Sequence, residues 1–228
     1  ARKLIKNKKA LSLAGNPKIA FDQLEIFERK KKRIIKSSLH SINGIKTLSK
    51  EAKTIIESDL KKITSKRRSI CGIKFDNPQI IGVLNITPDS FSDGGLFYEE
   101  FKAYAQVKLM IASGAKIIDV GGESTSPGSK VVNENEEWNR VEKTILKLKK
   151  DFPQIVLSLD TRKSNVMKKG IENGVDIVND VSGLNFDKKS FDVISSKNIP
   201  FILHHMQGTP DTMQKNPKYH DALLDIFD

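Results

Sequence analysis

The stretch IGVLNITPDSFSDGG, residues 81–95, passes from an apolar run straight into a segment crowded with Asn, Thr, Pro, Asp, Ser and Gly. A short apolar run bounded by turn formers reads as a buried strand, and the polar segment marks the point where that strand surfaces with chemistry to present. The pattern recurs downstream. IIGVL (80–84), KIIDV (116–120), IVLSLD (155–160), VDIVND (175–180) and PFILHH (200–205) read as strands, and the amphipathic stretches 99–113, 134–150, 163–173 and 187–196 read as helices between them. Strands alternating with helices predict βαβ units and a parallel sheet. The near-continuous hydrophobicity of the strands predicts a sheet covered by helices. NPKYHDALLDIFD (216–228) reads as a further helical stretch.

Five such units suit either a doubly wound sheet or the larger part of a (β/α)8 TIM barrel. Polar residues decide between them. Nearly every strand ends in a chemical group: Asn85, Asp119, Asp160, Asn179 with Asp180, and His204 with His205. In a barrel the C-terminal ends of different strands converge on one mouth, where such groups share a ligand. Gly121-Gly122 lacks the remaining spacing of a dinucleotide-binding fingerprint. The expected fold is therefore α/β, a TIM barrel with only about the first five βα units present in residues 79–228.

Residues 1–78 read as a separate, basic and partly helical extension. Segments 19–36 and 48–63 are predicted helices, the second with Leu48, Ala52, Ile55, Ile56, Leu60 and Ile63 at helical spacing, and SSLHSINGIKT (37–47) reads as a turn between them. This third of the chain holds 21 Lys or Arg against 7 Asp or Glu, a local charge of +14, whereas the remainder holds 18 against 21, or −3. The net +11 of the 228-residue chain thus belongs to the extension. It invites a polyanion partner, but no zinc-finger, KH or RNA-recognition signature accompanies it, and a nucleic-acid role is not expected. The single Cys71 excludes an internal disulfide and a thiol cluster for zinc. No apolar run approaches bilayer-spanning length and no signal-peptide pattern opens the chain, so a cytoplasmic protein is expected.

Taken together and in order, VLNITPDSFSDGG, DVGGESTSPG, SLDTRKSNV, NDVSG and HHMQGTPDTMQ resemble the dihydropteroate synthase family over residues 72–228. The resemblance implies condensation of 6-hydroxymethyl-7,8-dihydropterin diphosphate with p-aminobenzoate, giving 7,8-dihydropteroate and diphosphate, with Mg²⁺ assisting. It implies Asn85 at the diphosphate and magnesium site, and Asp160 and Asn179 as a pterin-binding pair, Asp160 also stabilising positive charge on the pterin. Met206 is expected at the ring face, with Ile118 or Val120 lining the same pocket. Asp119 is expected nearer the floor. Phe91, Thr125 and Pro127 match positions near p-aminobenzoate, in two loops (86–95 and 123–130) that close over the substrates; Asp89, Ser90, Asp93 and Ser126 lie in those loops. A homodimer is implied for the full-length parent.

Three departures qualify the resemblance. Ser126 stands where the family usually has Arg, and a hydroxyl does not replace a guanidinium at an anion site; either another residue such as Arg162 or Lys163 compensates, or affinity for an anionic substrate suffers. His204 stands where an apolar residue is usual, His205 aligning with the family histidine. Adjacent strand residues point to opposite faces, so the two histidines are not expected to share a metal. The D-P-G, Lys and R-x-H segments of later family strands have no counterpart in these 228 residues, and this exact chain is expected to have little or no synthase activity. The competing readings are the pterin-binding domain of a corrinoid-dependent methyltransferase, which the first two loops disfavour, and a non-catalytic binding module built on residues 1–78.

Overall fold

The computed structural model describes residues 1–30, 33–87, 96–124, 131–210 and 212–227, with the side chains of 29–30, 33–35 and 96–100 outside the description. These residues divide into two compact units, 1–77 with 219–228, and 78–218.

The first unit contains helix α1 (Arg2–Lys6), strands β1 (Leu11–Leu13) and β2 (Asn16–Phe21) as one antiparallel pair, strands β3 (Gln23–Lys30) and β4 (Arg33–Ser41) as another, a 3-10 turn (Gly44–Thr47) and helix α2 (Lys50–Thr64). Helix α7 (Ala222–Phe227) is also assigned to this unit. The described residues of the expected helix at 19–36, Asp22 apart, lie instead in β2, β3 and β4. Leu24 and Ile26 alternate with Gln23 and Glu25, a period of two that outweighs the helix-favouring charges around it. The turn expected at 37–47 begins only after Ser41. Helix α2 matches its expected span, and Ser49 caps it by accepting from the Ala52 amide at 3.3 Å.

The second unit alternates strand and helix: β5 (Ile81–Asn85), α3 (Leu96–Ala112), β6 (Ile117–Gly121), α4 (Glu134–Asp151), β7 (Val156–Asp160), α5 (Ser164–Glu172), β8 (Ile177–Asp180), α6 (Ser190–Lys197) and β9 (Phe201–Leu203). The five strands form one parallel sheet in the order β5-β6-β7-β8-β9. Each strand pairs with the next in sequence, and the order never reverses, as it must in a doubly wound sheet.

One sheet face carries the core. Leu84, Ile118, Val120, Leu157 and Leu159 pack with Val107 of α3, Trp138, Val141, Ile145 and Leu148 of α4, and Val166 of α5. A second cluster joins Met167, Val178 and Ile194. Helix α4 shows why these segments are helical. Asn133 caps it by accepting from the Asn135 and Glu136 amides, acidic residues occupy its first turn and Lys149 and Lys150 its last, complementing the helix dipole. Its buried stripe at 138, 141, 145 and 148 has the helical period. Ile118 and Val120, expected in the ligand pocket, belong to this helix-covered face, because they alternate with Asp119. Among the described residues no helix is long and apolar enough to cross a membrane.

Two glycines set the helix-to-sheet distance. A Cβ on Gly122 would sit 2.8 Å from the Glu137 carbonyl oxygen, and one on Gly170 would sit 2.4 Å from Leu159 Cδ2. The first obstacle is backbone and cannot rotate away. Gly122→Ala is expected to destabilise the unit by about 1–3 kcal/mol, seen as a lower urea midpoint with unchanged slope; an unchanged midpoint would show that α4 is not seated on Gly122.

Candidate functional site

Parallel register places the polar strand ends in one row. Asn85 pairs with Gly121, Gly121 with Asp160, and Asp160 with Asn179. All four lie on the sheet face away from the helix-packed core, since Leu84, Val120, Leu159 and Val178 alternate with them and are buried among apolar side chains. Gly121 leaves a gap in the row: a Cβ there would come within 3.1 Å of Asn85 Oδ1 and 3.6 Å of Asp160 Oδ2. The glycine therefore lets the amide oxygen and the carboxylate face a common space.

One step below, Asp119 pairs with Ser158 on the same face. Its Oδ2 accepts from Asn179 Nδ2 at 2.8 Å, while Oδ1 is buried without a partner. Asp119 thus acts directly on the Asn179 carboxamide, a link that the residue spacing alone does not reveal. On the other side His204 Nε2 meets Asn179 Oδ1 at 2.8 Å. His204, one residue past β9, is thus the side chain that reaches Asn179, and no role was expected of it; Met206, expected at the ring face, is half-buried two residues further on. The pairing of Ile202 with Asn179, with alternation along the chain, puts His204 and not His205 on that face.

The Asp160 carboxyl is pushed up to about 7, first by burial and then by repulsion from Asp119, Glu137, Asp180 and Glu123. Asp180, next to Asn179, plays a structural part. Its carboxylate accepts from the Ser182 and Leu184 amides at 2.8 and 3.0 Å and holds the turn after β8.

Behind the row lies a buried ionic cluster. Arg162 Nε donates to Glu123 Oε2 at 2.8 Å, Lys163 Nζ lies 3.0 Å from Glu123 Oε1, and Lys163 also pairs with Glu137. Glu123 Oε1 accepts from the Val132 amide at 2.9 Å as well, so one carboxylate ties together the two ends of the loop between β6 and α4. Burial pushes Glu123 up, but the hydrogen bonds from Arg162, Val132 and Lys163 outweigh it and hold the carboxyl below its ordinary value. The Arg162 guanidinium also lies 4.0 Å from the Phe186 ring centroid. Both cations are buried and committed to carboxylates.

Among the described residues no group of three or more His, Cys, Asp or Glu side chains is arranged to hold a metal ion. Asn85 is exposed and offers a neutral amide oxygen beside the Gly121 gap. Mg²⁺ characteristically takes one or two protein oxygens and completes its shell with substrate phosphates and water; Asn85 fits as such a single ligand. Asp89, Ser90, Phe91 and Asp93, and Thr125, Ser126 and Pro127, lie outside the described residues.

Two outcomes follow from these electrostatics. Removing Glu123 by Glu123→Ala leaves Arg162 and Lys163 buried with less compensation, and should cost about 3–5 kcal/mol of folding stability in urea unfolding; a loss below about 1 kcal/mol would show that the cluster is solvated. For Asp160, a folded pKa above the ordinary 3.8 stabilises the protonated form. That contribution is fully present below the unfolded value and is lost as the pH rises through about 7. Asp160→Asn is therefore expected to be more stable than the native protein at pH 8, by a few kcal/mol, with the difference closing towards pH 4. A difference independent of pH would contradict the raised carboxyl.

The chain is similar to known proteins. The model of the pterin binding enzyme family matches residues 81–227. A dihydropteroate synthase of Neisseria meningitidis serogroup B is 41% identical over 157 residues, 68% of this chain and 54% of that protein. The structure of the Yersinia pestis dihydropteroate synthase with a sulfonamide drug complex is similar with a TM-score of 0.62 at 38% identity, covering 68% of this chain and 56% of that one. The Xanthomonas albilineans dihydropteroate synthase with 4-aminobenzoic acid gives 0.60 at 34% identity, covering 68% and 54%. The chain spans about half the length of the curated relatives it matches. With the family model covering well over half of its residues, and the polar row lying inside the matched region, the chain belongs to the pterin binding enzyme family.

Proposed function

We propose that the whole protein to which this chain belongs is a dihydropteroate synthase, joining p-aminobenzoate to 6-hydroxymethyl-7,8-dihydropterin diphosphate with loss of diphosphate. The observation that carries the reading is the row Asn85, Gly121, Asp160, Asn179, in which the Asn85 amide oxygen and the Asp160 carboxylate face one gap and Asn179 lies level beside Asp160. The relatives named dihydropteroate synthase support it over the methyltransferase alternative. We read the five strands as the first part of a (β/α)8 barrel and residues 1–78 as a basic extension to it. The unreversed strand order supports this. So does exposure of Ile81 and Val83, which sit on the polar-row face where a closed barrel buries its interior residues.

The chemistry needs little more than alignment. The arylamine nitrogen attacks the pterin methylene carbon as its C–O bond to diphosphate breaks, and the amine then gives up a proton. Asp160 accepts from the aminopyrimidine edge when ionised, and Asn179 both donates and accepts along the same edge. Donors arriving at the Asp160 carboxylate, and positive charge developing on the pterin, would both lower its raised pKa and draw it into the ionised state. Asn85 would hold Mg²⁺ through Oδ1, and the ion's contribution is to neutralise charge growing on the leaving diphosphate. The exclusion of water and the seating of p-aminobenzoate are assigned to Phe91, Thr125 and Pro127, with Asp89, Ser90, Asp93 and Ser126 in the same two loops. A cytoplasmic homodimer is the setting this reading carries with it.

The test is synthesis of 7,8-dihydropteroate by the whole protein from the two substrates. Product is expected with Mg²⁺ and not after chelation, and Asn85→Ala should lower kcat about 100-fold. No product from either protein, or full turnover by the Asn85 variant, would contradict the reading.

A further inference from the structure

The Asp119–Asn179–His204 chain of hydrogen bonds carries one consequence beyond these roles. Asp119 is buried and accepts from Asn179 Nδ2, so the orientation of the Asn179 carboxamide is defined: its nitrogen points to Asp119 and its oxygen to β9. The His204 ring nitrogen at 2.8 Å from that oxygen must then be the donor, which fixes Nε2 as the protonated nitrogen. The carboxamide is held from both ends, leaving one N–H and one oxygen lone pair for a ligand.

The backbone at His204 is also pinned. Gly183, with φ of +60°, lies so close to the His204 carbonyl oxygen that a Cβ there would sit 2.5 Å from it. Only glycine combines that conformation with that approach. The turn after β8 is itself held by Asp180 through the Ser182 and Leu184 amides. Thus β8 supplies Asn179 and, four residues later, the contact that sets where His204 leaves β9. His204 stays exposed at the end of its strand while Asp119 is buried, so the chain of bonds runs from the floor of the sheet face to its rim.

We propose that His204 is a positioning residue for pterin recognition: its Nε2–H locks the Asn179 carboxamide in the orientation that presents one donor and one acceptor to the heterocycle. The proposal rests on Asp160 and Asn179 being the pterin site. It separates two functions within the mouth, since His204 acts on the heterocycle and not on the arylamine or the diphosphate.

The experiment is calorimetric titration of the whole protein with 6-hydroxymethylpterin, a probe without diphosphate, together with KM values for both substrates. His204→Leu removes the donor; His204→Gln returns an amide N–H at comparable reach. His204→Leu should weaken pterin affinity about tenfold, the worth of one hydrogen bond to a pre-set partner. It should also raise KM for the pterin substrate by a similar factor and leave KM for p-aminobenzoate unchanged. His204→Gln should recover most of the loss. Asp160→Asn is the control for the underlying reading. If Asp160→Asn loses pterin while His204→Leu binds normally, the His204 proposal fails alone. If Asp160→Asn binds pterin normally, the site itself is misplaced and both fail. A His204→Leu loss that Gln does not recover, or that falls equally on both substrates, marks general disruption of the mouth and overturns the positioning role.

Discussion

Everything proposed for this protein depends on strand register. In a parallel sheet of consecutive strands, side chains two residues apart share a face, and a one-residue slip moves a whole set to the other side. Here the register puts Asn85, Gly121, Asp160 and Asn179 level with one another on the face away from the helices. The same register puts Leu84, Val120, Leu159 and Val178 into the apolar layer behind them. Core packing and site geometry are thus two readings of one pairing. The energy that enforces it is hydrophobic burial beneath α3, α4 and α5, since polar residues such as Asp160 and Asp119 would not choose such a place unaided.

The electrostatics show what this costs. Four acidic groups surround Asp160 and, after burial, keep its carboxyl near neutrality. Arg162 and Lys163, two and three residues further along the chain, are bound instead to Glu123 and Glu137. That cluster serves the loop between β6 and α4, whose two ends Glu123 gathers. A carboxyl raised in this way favours a ligand that brings hydrogen-bond donors or positive charge to it. The anionic end of the proposed substrate then has to find its positive charge elsewhere, and the neutral oxygen of Asn85 is suited to sharing a metal with it.

Much of this was legible in the residues themselves. The strands of the second unit lie within two or three residues of their expected spans, because four- or five-residue apolar runs between amphipathic helices carry a strong signal. Asn85, Asp160 and Asn179 were visible as polar endings of apolar runs. What could not be read was pairwise. Asp119 and Asn179 are 60 positions apart and meet only through the sheet. His204 lay in a run of two histidines, and only strand pairing says which one faces Asn179. Arg162 and Lys163 looked like available cations because their carboxylate partners lie 39 and 26 residues away. The first unit misled more directly: a run of lysines and glutamates around Leu24 and Ile26 has helix-favouring composition, yet the alternation at 23–26 and the partner strand at 33–41 made it a hairpin.

The most direct measurement is a crystal structure of the whole protein bound to 6-hydroxymethylpterin diphosphate with Mg²⁺. The aminopyrimidine edge is expected within hydrogen-bonding distance of Asp160 and Asn179, and the diphosphate on the Asn85 side of the Gly121 gap. A pterin bound away from this row, or held with its diphosphate against Asp160, would contradict the assignment of the row as the pterin site.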